Sequence, residues 1–251
     1  MDKDEEIKRH IRDLADRCYR QGRYTYTDFL NMADQSAFFD MERELDFVPY
    51  SLFGGTCGSE RKILRFGSAD TLGYEESFPI RCISAVPSAP RFAQELTHRD
   101  FLGAVMSLGI ERDLIGDIIV RDNCAYIFCL DSMADYISGS LDKVKHTTIS
   151  CEVTKEVPKG ALPRFSEEEF VVSTPRCDAV TAKAYNLSRS KSIDLFRSKK
   201  VFLNGRQLEN NSLSLKPGDI ISVRGYGKFI FSGVSAQTGK GRCRIKIKRY
   251  V

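Results

Sequence analysis

Apolar positions recur along this chain with two different periods, and the places where the period changes divide it into regions. Ile7, Ile11, Leu14, Ala15 and Cys18 stand at helical spacing with charges between them, which predicts an amphipathic helix. A second short helix is expected from Tyr26 to Met32, and Phe38 to Tyr50 is mixed. Phe53-Gly54-Gly55 with Gly58 marks a turn ahead of a strand at Ile63-Leu64-Arg65-Phe66. The polar run Ser68 to Ser77 reads as a boundary, which makes residues 1–72 a mainly helical domain of helical and mixed segments.

From Phe78 the signals become regular. Pro79 to Val86 reads as a strand, broken by Pro87-Ser88-Ala89-Pro90. Thr97 is an N-cap with Asp100 three residues on, followed by Phe101, Leu102, Val105 and Leu108 on one face and Gly109 as the stop. Asp117 to Arg121 and Ala125 to Leu130 flank Asp122-Asn123 as a hairpin, Ser132 opens a helix to about Val144, and Thr147 to Val153 is a last strand. The order β-α-β-β-α-β over residues 75–157 is a ferredoxin-like split unit, also the arrangement of RNA-recognition motifs (RRM-like). The aromatic signature of those motifs is absent, so RNA binding does not follow from this fold.

Residues 158–174 read as a linker, with Ser166 and Glu169 able to cap a short helix or Phe170-Val171-Val172 to add an edge strand. Beyond it, helices are expected over Asp178–Leu187 and from Ser188 to about Ser198. On the second, Ser192, Leu195 and Phe196 share one face while Arg189, Arg197 and Lys200 gather on the neighbouring one. Val201-Phe202-Leu203 is a strand, with turns at Asn204-Gly205, Pro217-Gly218-Asp219 and a bend at Gly225-Tyr226-Gly227. Arg242 to Lys248 alternates strictly, so one strand face carries Arg242, Arg244, Lys246 and Lys248 and the other Cys243, Ile245 and Ile247.

Charge sharpens this picture. Residues 175–251 hold 17 Lys+Arg against 4 Asp+Glu, leaving 21 against 30 for the rest, so the net +4 hides a basic module on an acidic body. A helix and a strand with single-sign faces in one small module point to polyanion binding, because neutralised phosphates release condensed counterions. The chain has no run long enough to span a membrane, and its acidic start is unlike a signal peptide. Its eight cysteines never form Cys-x-x-Cys, and its three histidines have no cysteine at zinc-finger spacing, so reduced thiols in a cytoplasmic protein without metal or cofactor are expected.

The basic module closely resembles the S4 RNA-binding domain. Its matching pieces are Arg176-Cys177-Asp178, Leu187-Ser188-Arg189-Ser190-Lys191, Val201-x-x-Asn204-Gly205 and Lys216-Pro217-Gly218-Asp219-Ile220-Ile221. In two departures, Cys177 stands for the usual apolar residue, and Lys199 for the glycine that ends the second helix. The resemblance implies an L-shaped, αL-type surface docking on structured RNA through Arg176, Ser188, Arg189, Ser190, Lys191, Arg197 and Lys200. Lys199, Arg224, Lys228 and the alternating cations at 242, 244, 246 and 248 complete the candidate set, with Arg99 from the central domain. Further matches lie upstream, at Phe53-Gly54-Gly55, Ser59-Glu60-Arg61-Lys62, Leu96-Thr97-His98-Arg99-Asp100-Phe101-Leu102-Gly103, Leu108-Gly109-Ile110 and Ile115-Gly116-Asp117-Ile118. From about residue 25 onward the chain therefore resembles the YlmH-type S4 proteins. That resemblance implies a bacterial, cyanobacterial or plastid RNA-binding protein associated with the ribosome, with rescue of stalled large subunits implied for some members.

The expected chain is thus α+β, with an N-terminal helical or mixed region, a central ferredoxin-like βαββαβ (RRM-like) domain and a C-terminal S4 (αL-type) domain at 175–251. The expected function is non-catalytic binding of structured RNA (rRNA, tRNA) by a monomer on the large subunit. His98-Arg99-Asp100 invites an enzyme reading, but the Asn of a kinase loop is replaced by Val105, and the residues that follow a pseudouridine synthase's Asp are missing. An RNA-modifying enzyme active near His98, Arg99 and Asp100, and a protein–protein adaptor using the acidic N-terminal part, are the two alternatives.

Overall fold

The stripe Ile7 to Cys18 forms the inner face of helix α1 (Lys3–Gln21), which buries Ile11, Leu14, Ala15 and Cys18. Each such side chain removed from water contributes roughly 1.5–3 kcal/mol when large and fully buried. The fold comes from a computed structural model that describes residues 3–239 and 241–251, so Met1 and Asp2 of the acidic start lie outside the described residues. Met1–Leu162 form one unit and Pro163–Val251 another.

In the first unit, the segment expected as a second helix is instead strand β1 (Thr25–Leu30). Thr25, Thr27 and Phe29 turn inward with the less buried Tyr26 and Asp28 between them, so β-propensity and period 2 outweigh the weak helical reading. The helix follows as α2 (Met32–Met41), where the Asn31 side chain accepts from the Ala33 and Asp34 N–H groups and Asp34 accepts from Asn31 N–H. Strands β2 (Tyr50–Phe53) and β3 (Lys62–Phe66) complete an antiparallel sheet ordered β1-β3-β2, packed under α1 and α2. A single helical turn, α3 (Ala69–Leu72), capped by Ser68, leads out of it.

The central region contains β4 (Ile80–Pro87), α4 (His98–Met106), β5 (Ile115–Arg121), β6 (Cys124–Leu130), α5 (Asp131–Ser140), β7 (Lys143–Val144) and β8 (Thr147–Val153). Its sheet order is β5-β6-β4-β8-β7, the ferredoxin-like order with β7 added at one edge. Asp122 and Asn123 both take positive φ, 50° and 63°, as a two-residue hairpin turn requires. The helix expected to reach Val144 stops at Ser140, because Val144 is needed as a fully buried strand residue against β8.

The two sheets of this unit are tied together by the motifs singled out around Arg61 and Asp117. The Glu60 and Arg61 N–H groups donate to the Asp117 carboxylate at 2.7 and 3.0 Å. The Arg61 guanidinium donates to the carbonyls of Ile115, Phe29 and Arg112 at 2.9, 2.8 and 3.2 Å, and its burial lowers its pKa. Gly55 is needed where it stands: at φ +98°, an added Cβ would lie 2.3 Å from the Phe128 ring.

In the second unit, the edge strand expected at Phe170-Val171-Val172 is present and begins five residues earlier, as β9 (Phe165–Val172), so no helix starts at Ser166. The hydrophobic residues Phe170 and Val172 pack into the core and define the strand's inner face. Two helices follow, α6 (Cys177–Ala184) and α7 (Arg189–Arg197). Then come β10 (Val201–Leu203), β11 (Arg206–Gln207), β12 (Ile220–Val223), β13 (Gly227–Gln237) and β14 (Cys243–Tyr250). Sheet order is β11-β10-β12-β13-β14-β9, all pairs antiparallel, and both helices pack on one of its faces. Among the described residues, no helix is long and apolar enough to cross a membrane.

Candidate nucleic-acid interface

The start of α6 is built by Arg176, whose Nε and Nη2 donate to the two oxygens of Asp178 at 3.1 and 2.8 Å. Asp178 is 1% exposed, so this bidentate partner and the Ala179 N–H at 2.8 Å are what make its charge tolerable. The Asp178 carbonyl accepts the buried Ser192 hydroxyl at 2.8 Å, which fastens α7 to α6. Cys177 is fully buried and its thiol is pushed up to about 12 by burial, so it serves as an apolar core residue. Arg176 therefore has a structural task before any other.

Helix α6 ends earlier than its apolar pattern suggested, because Asn186 takes φ +51° and the Leu187 N–H returns to the Ala182 carbonyl. Ser188 then caps α7, its hydroxyl accepting the Lys191 N–H at 3.3 Å. Buried Ser192, Leu195 and Phe196 fix the helix, which leaves Arg189, Ser190 and Lys191 exposed at its positive end. Beside them lies a cleft of about 620 Å³ lined by Arg176, Lys183, Asn186 and Arg189 among others. Lys183 was missed at the level of sequence, although it stands two helical turns from Arg176 and so shares its side of α6. Among the described residues, no ion pair engages Lys183, Arg189 or Lys191.

A second group of cations sits where α7 ends. Lys199 accepts the left-handed conformation at φ +56°, so the chain turns there without glycine, and the Lys200 N–H closes onto the Leu195 carbonyl at 2.9 Å. Lys200 consequently lies beyond the helix on which it was expected. The Arg224 N–H donates to the Lys200 carbonyl at 2.9 Å and its guanidinium lies 5.6 Å from the Phe202 ring centre. Arg197, Lys199, Lys200 and Arg224 thus come together. Two of them have acidic neighbours, Asp194 at 3.7 Å from Arg197 and Glu209 at 3.6 Å from Lys199.

The cations of β14 are not part of either group. Ile245 and Ile247 face the helices, so Arg244, Lys246 and Lys248 project from the opposite face of the sheet, where Arg242 is also exposed. There they meet Glu167 and Glu169 of β9, which makes the expected single-sign face a mixed one. Lys228 lies 4.5 Å from the centre of the Tyr250 ring.

In the first unit, Arg99 is exposed at the start of α4. Its neighbour Asp100 accepts the Thr97 N–H at 2.8 Å and hydroxyl at 2.7 Å and pairs with Lys145 Nζ at 2.8 Å. On the sheet face away from α4 and α5, Tyr126 and Phe128 stand where related modules stack bases, but the chain itself covers them. Gly160 sits against Tyr126, Ala161 is fully buried, and Arg121 Nη1 holds the carbonyls of Gly160 and Leu162 at 2.8 and 2.7 Å. Among the described residues, no group of three or more His, Cys, Asp or Glu side chains is placed to hold a metal.

Three comparisons bear on this arrangement. Residues 75–157 match a family model for a domain of YlmH that is named for RNA binding. The chain is 27% identical over 231 residues to the ribosome-associated protein quality control protein P2 of Bacillus subtilis, covering 91% of this chain and 88% of that one. It also shares its fold with a solved structure, the cell division protein ylmH from Streptococcus pneumoniae. That likeness has a TM-score of 0.50 at 17% identity and covers 61% of this chain and 92% of the other.

Proposed function

From the premise that the chain is YlmH-like, in its central domain and along most of its length, we propose that it is a non-catalytic binder of structured RNA. Its working place is the ribosome's large subunit in the cytoplasm, where it acts as a monomer on rRNA or tRNA and serves the rescue of stalled subunits. The observation that carries this reading is the start of α7. There Arg189 and Lys191 stand exposed, with no ion pair among the described residues, beside a cleft that also presents Lys183 and Arg176. The backbone N–H groups of that helix end and the surrounding cations suit a phosphate group, and the proposed recognition is of backbone and shape. The S4-like motifs support it through architecture, since Arg176-Cys177-Asp178 and Ser188 hold α6 and α7 in the pose that displays these cations. Asp100, the residue an enzyme reading would use, is engaged by Thr97 and Lys145, which favours the non-catalytic reading.

The test is the double change Arg189→Ala and Lys191→Ala. Folding is expected to stay near normal, because exposed substitutions usually fall within about 0.5 kcal/mol. Affinity for a folded large-subunit rRNA transcript is expected to fall, and the log–log salt slope to flatten by about one unit per lost contact. Wild-type affinity and slope in the folded double variant would refute the assignment of this face.

A further inference from the structure

The open face of the C-terminal sheet presents cations, and the strand beside them supplies carboxylates in register. Glu169 lies opposite Lys246 and Glu167 opposite Lys248 across the β9–β14 ladder. Lys248 Nζ is 3.8 Å from Glu167, and Arg244 Nε is 3.5 Å from Glu169, whose same oxygen accepts the Ser235 hydroxyl at 3.2 Å. Glu168, between them, points to the other face and has a different task. It binds the Arg249 guanidinium at 2.5 and 2.8 Å, and Arg249 also reaches the Ala184 carbonyl and the Tyr185 ring. Glu168 thus anchors the strand to α6, whereas Glu167 and Glu169 face solvent with side chains 80% and 39% exposed.

Exposed pairs of this kind add little to stability. Their larger consequence is for what the face attracts. A carboxylate within 4 Å offsets a substantial part of a cation's attraction for a phosphate, and a phosphate that displaces it exchanges one anion for another. We propose that Glu167 and Glu169 are specificity-determining residues of the RNA binding proposed above, on which this inference rests. They offset the two β14 cations they pair with, Arg244 and Lys248, weaken the strand's uptake of phosphate chains, and so favour RNA on the α6–α7 side, where among the described residues no ion pair engages Arg189 or Lys191.

The experiment uses the full chain carrying Glu167→Gln and Glu169→Gln, with poly-uridine and a folded large-subunit rRNA transcript as probes. Poly-uridine affinity at low salt is expected to rise about three- to tenfold, and its log–log salt slope to steepen by about 1.4, for two added contacts at roughly 0.7 each. Affinity for the folded transcript is expected to change by less than about twofold. Unchanged poly-uridine affinity and slope would overturn the proposal. If the double variant fails to fold, Arg244→Gln, Lys246→Gln and Lys248→Gln together decide it. That triple change is expected to leave transcript affinity within about twofold, and a loss of about tenfold would show that β14 is itself an RNA anchor. A wild-type chain that ignores the folded transcript, beside a glutamine variant that gains poly-uridine binding, would sink the RNA function and leave the role of β9 standing.

Discussion

The Asp100 carboxylate is held well below its ordinary 3.8, at about 2, first by Lys145, then by the Thr97 hydroxyl and backbone N–H. A carboxyl whose folded pKa is depressed stabilises the fold fully above its unfolded pKa, and that contribution disappears as pH falls toward the folded value. Acid unfolding between about pH 4 and pH 2 is therefore expected to be less steep for Asp100→Asn than for the wild type, with the variant the less stable of the two at neutral pH. Circular dichroism across that range measures it, and superimposable acid limbs would show that Asp100 does not act this way. The His98-Arg99-Asp100 tripeptide is thus read best through its last member as the cap of a helix.

Strand β9 decides the integrity of the basic unit. Phe170 and Val172 fill its core, Glu168 clamps Arg249, and the strand pairs with β14 from Phe165 to Val172. A fragment of residues 163–251 is expected to unfold cooperatively. One that starts at 175 loses this strand, leaves β14 as a bare edge and is expected to be less stable by about 2–4 kcal/mol, with a greater tendency to aggregate. Urea denaturation of the two fragments provides the comparison, and equal midpoints would mean that β9 is dispensable.

Across the whole chain, charge follows the two units. Residues 163–251 hold 18 basic and 7 acidic residues, a net +11, against 20 and 27 for residues 1–162, a net −7. If this asymmetry governs association, the 163–251 fragment is expected to bind the folded transcript with a steep salt dependence, and the 1–162 fragment far more weakly. Filter binding over a salt series tests this, and equal affinities would transfer the main anchor to the acidic unit.

The elements whose signals are local were legible in the residues alone. The stripe from Ile7 to Cys18, the Thr97–Asp100 cap, the Asp122-Asn123 hairpin, the Ser188 cap and the in-and-out alternation of β14 all depend on residues within a few positions of one another. The central β-α-β-β-α-β order was legible for the same reason. Features that depend on distant partners became visible only in the fold. Thr25 to Leu30 is a strand because β3 lies alongside it. The edge strand expected only at 170–172 extends back to residue 165 because β14, more than 70 positions later, offers its edge. The same pairing brings Glu167 and Glu169 to the cations of β14, so a strand that reads as uniformly basic becomes a mixed one in the fold, while among the described residues no ion pair engages Arg189 or Lys191 at the start of α7. Periodicity reports which way a side chain points, but the charge it meets there is set by a neighbour that only the fold supplies.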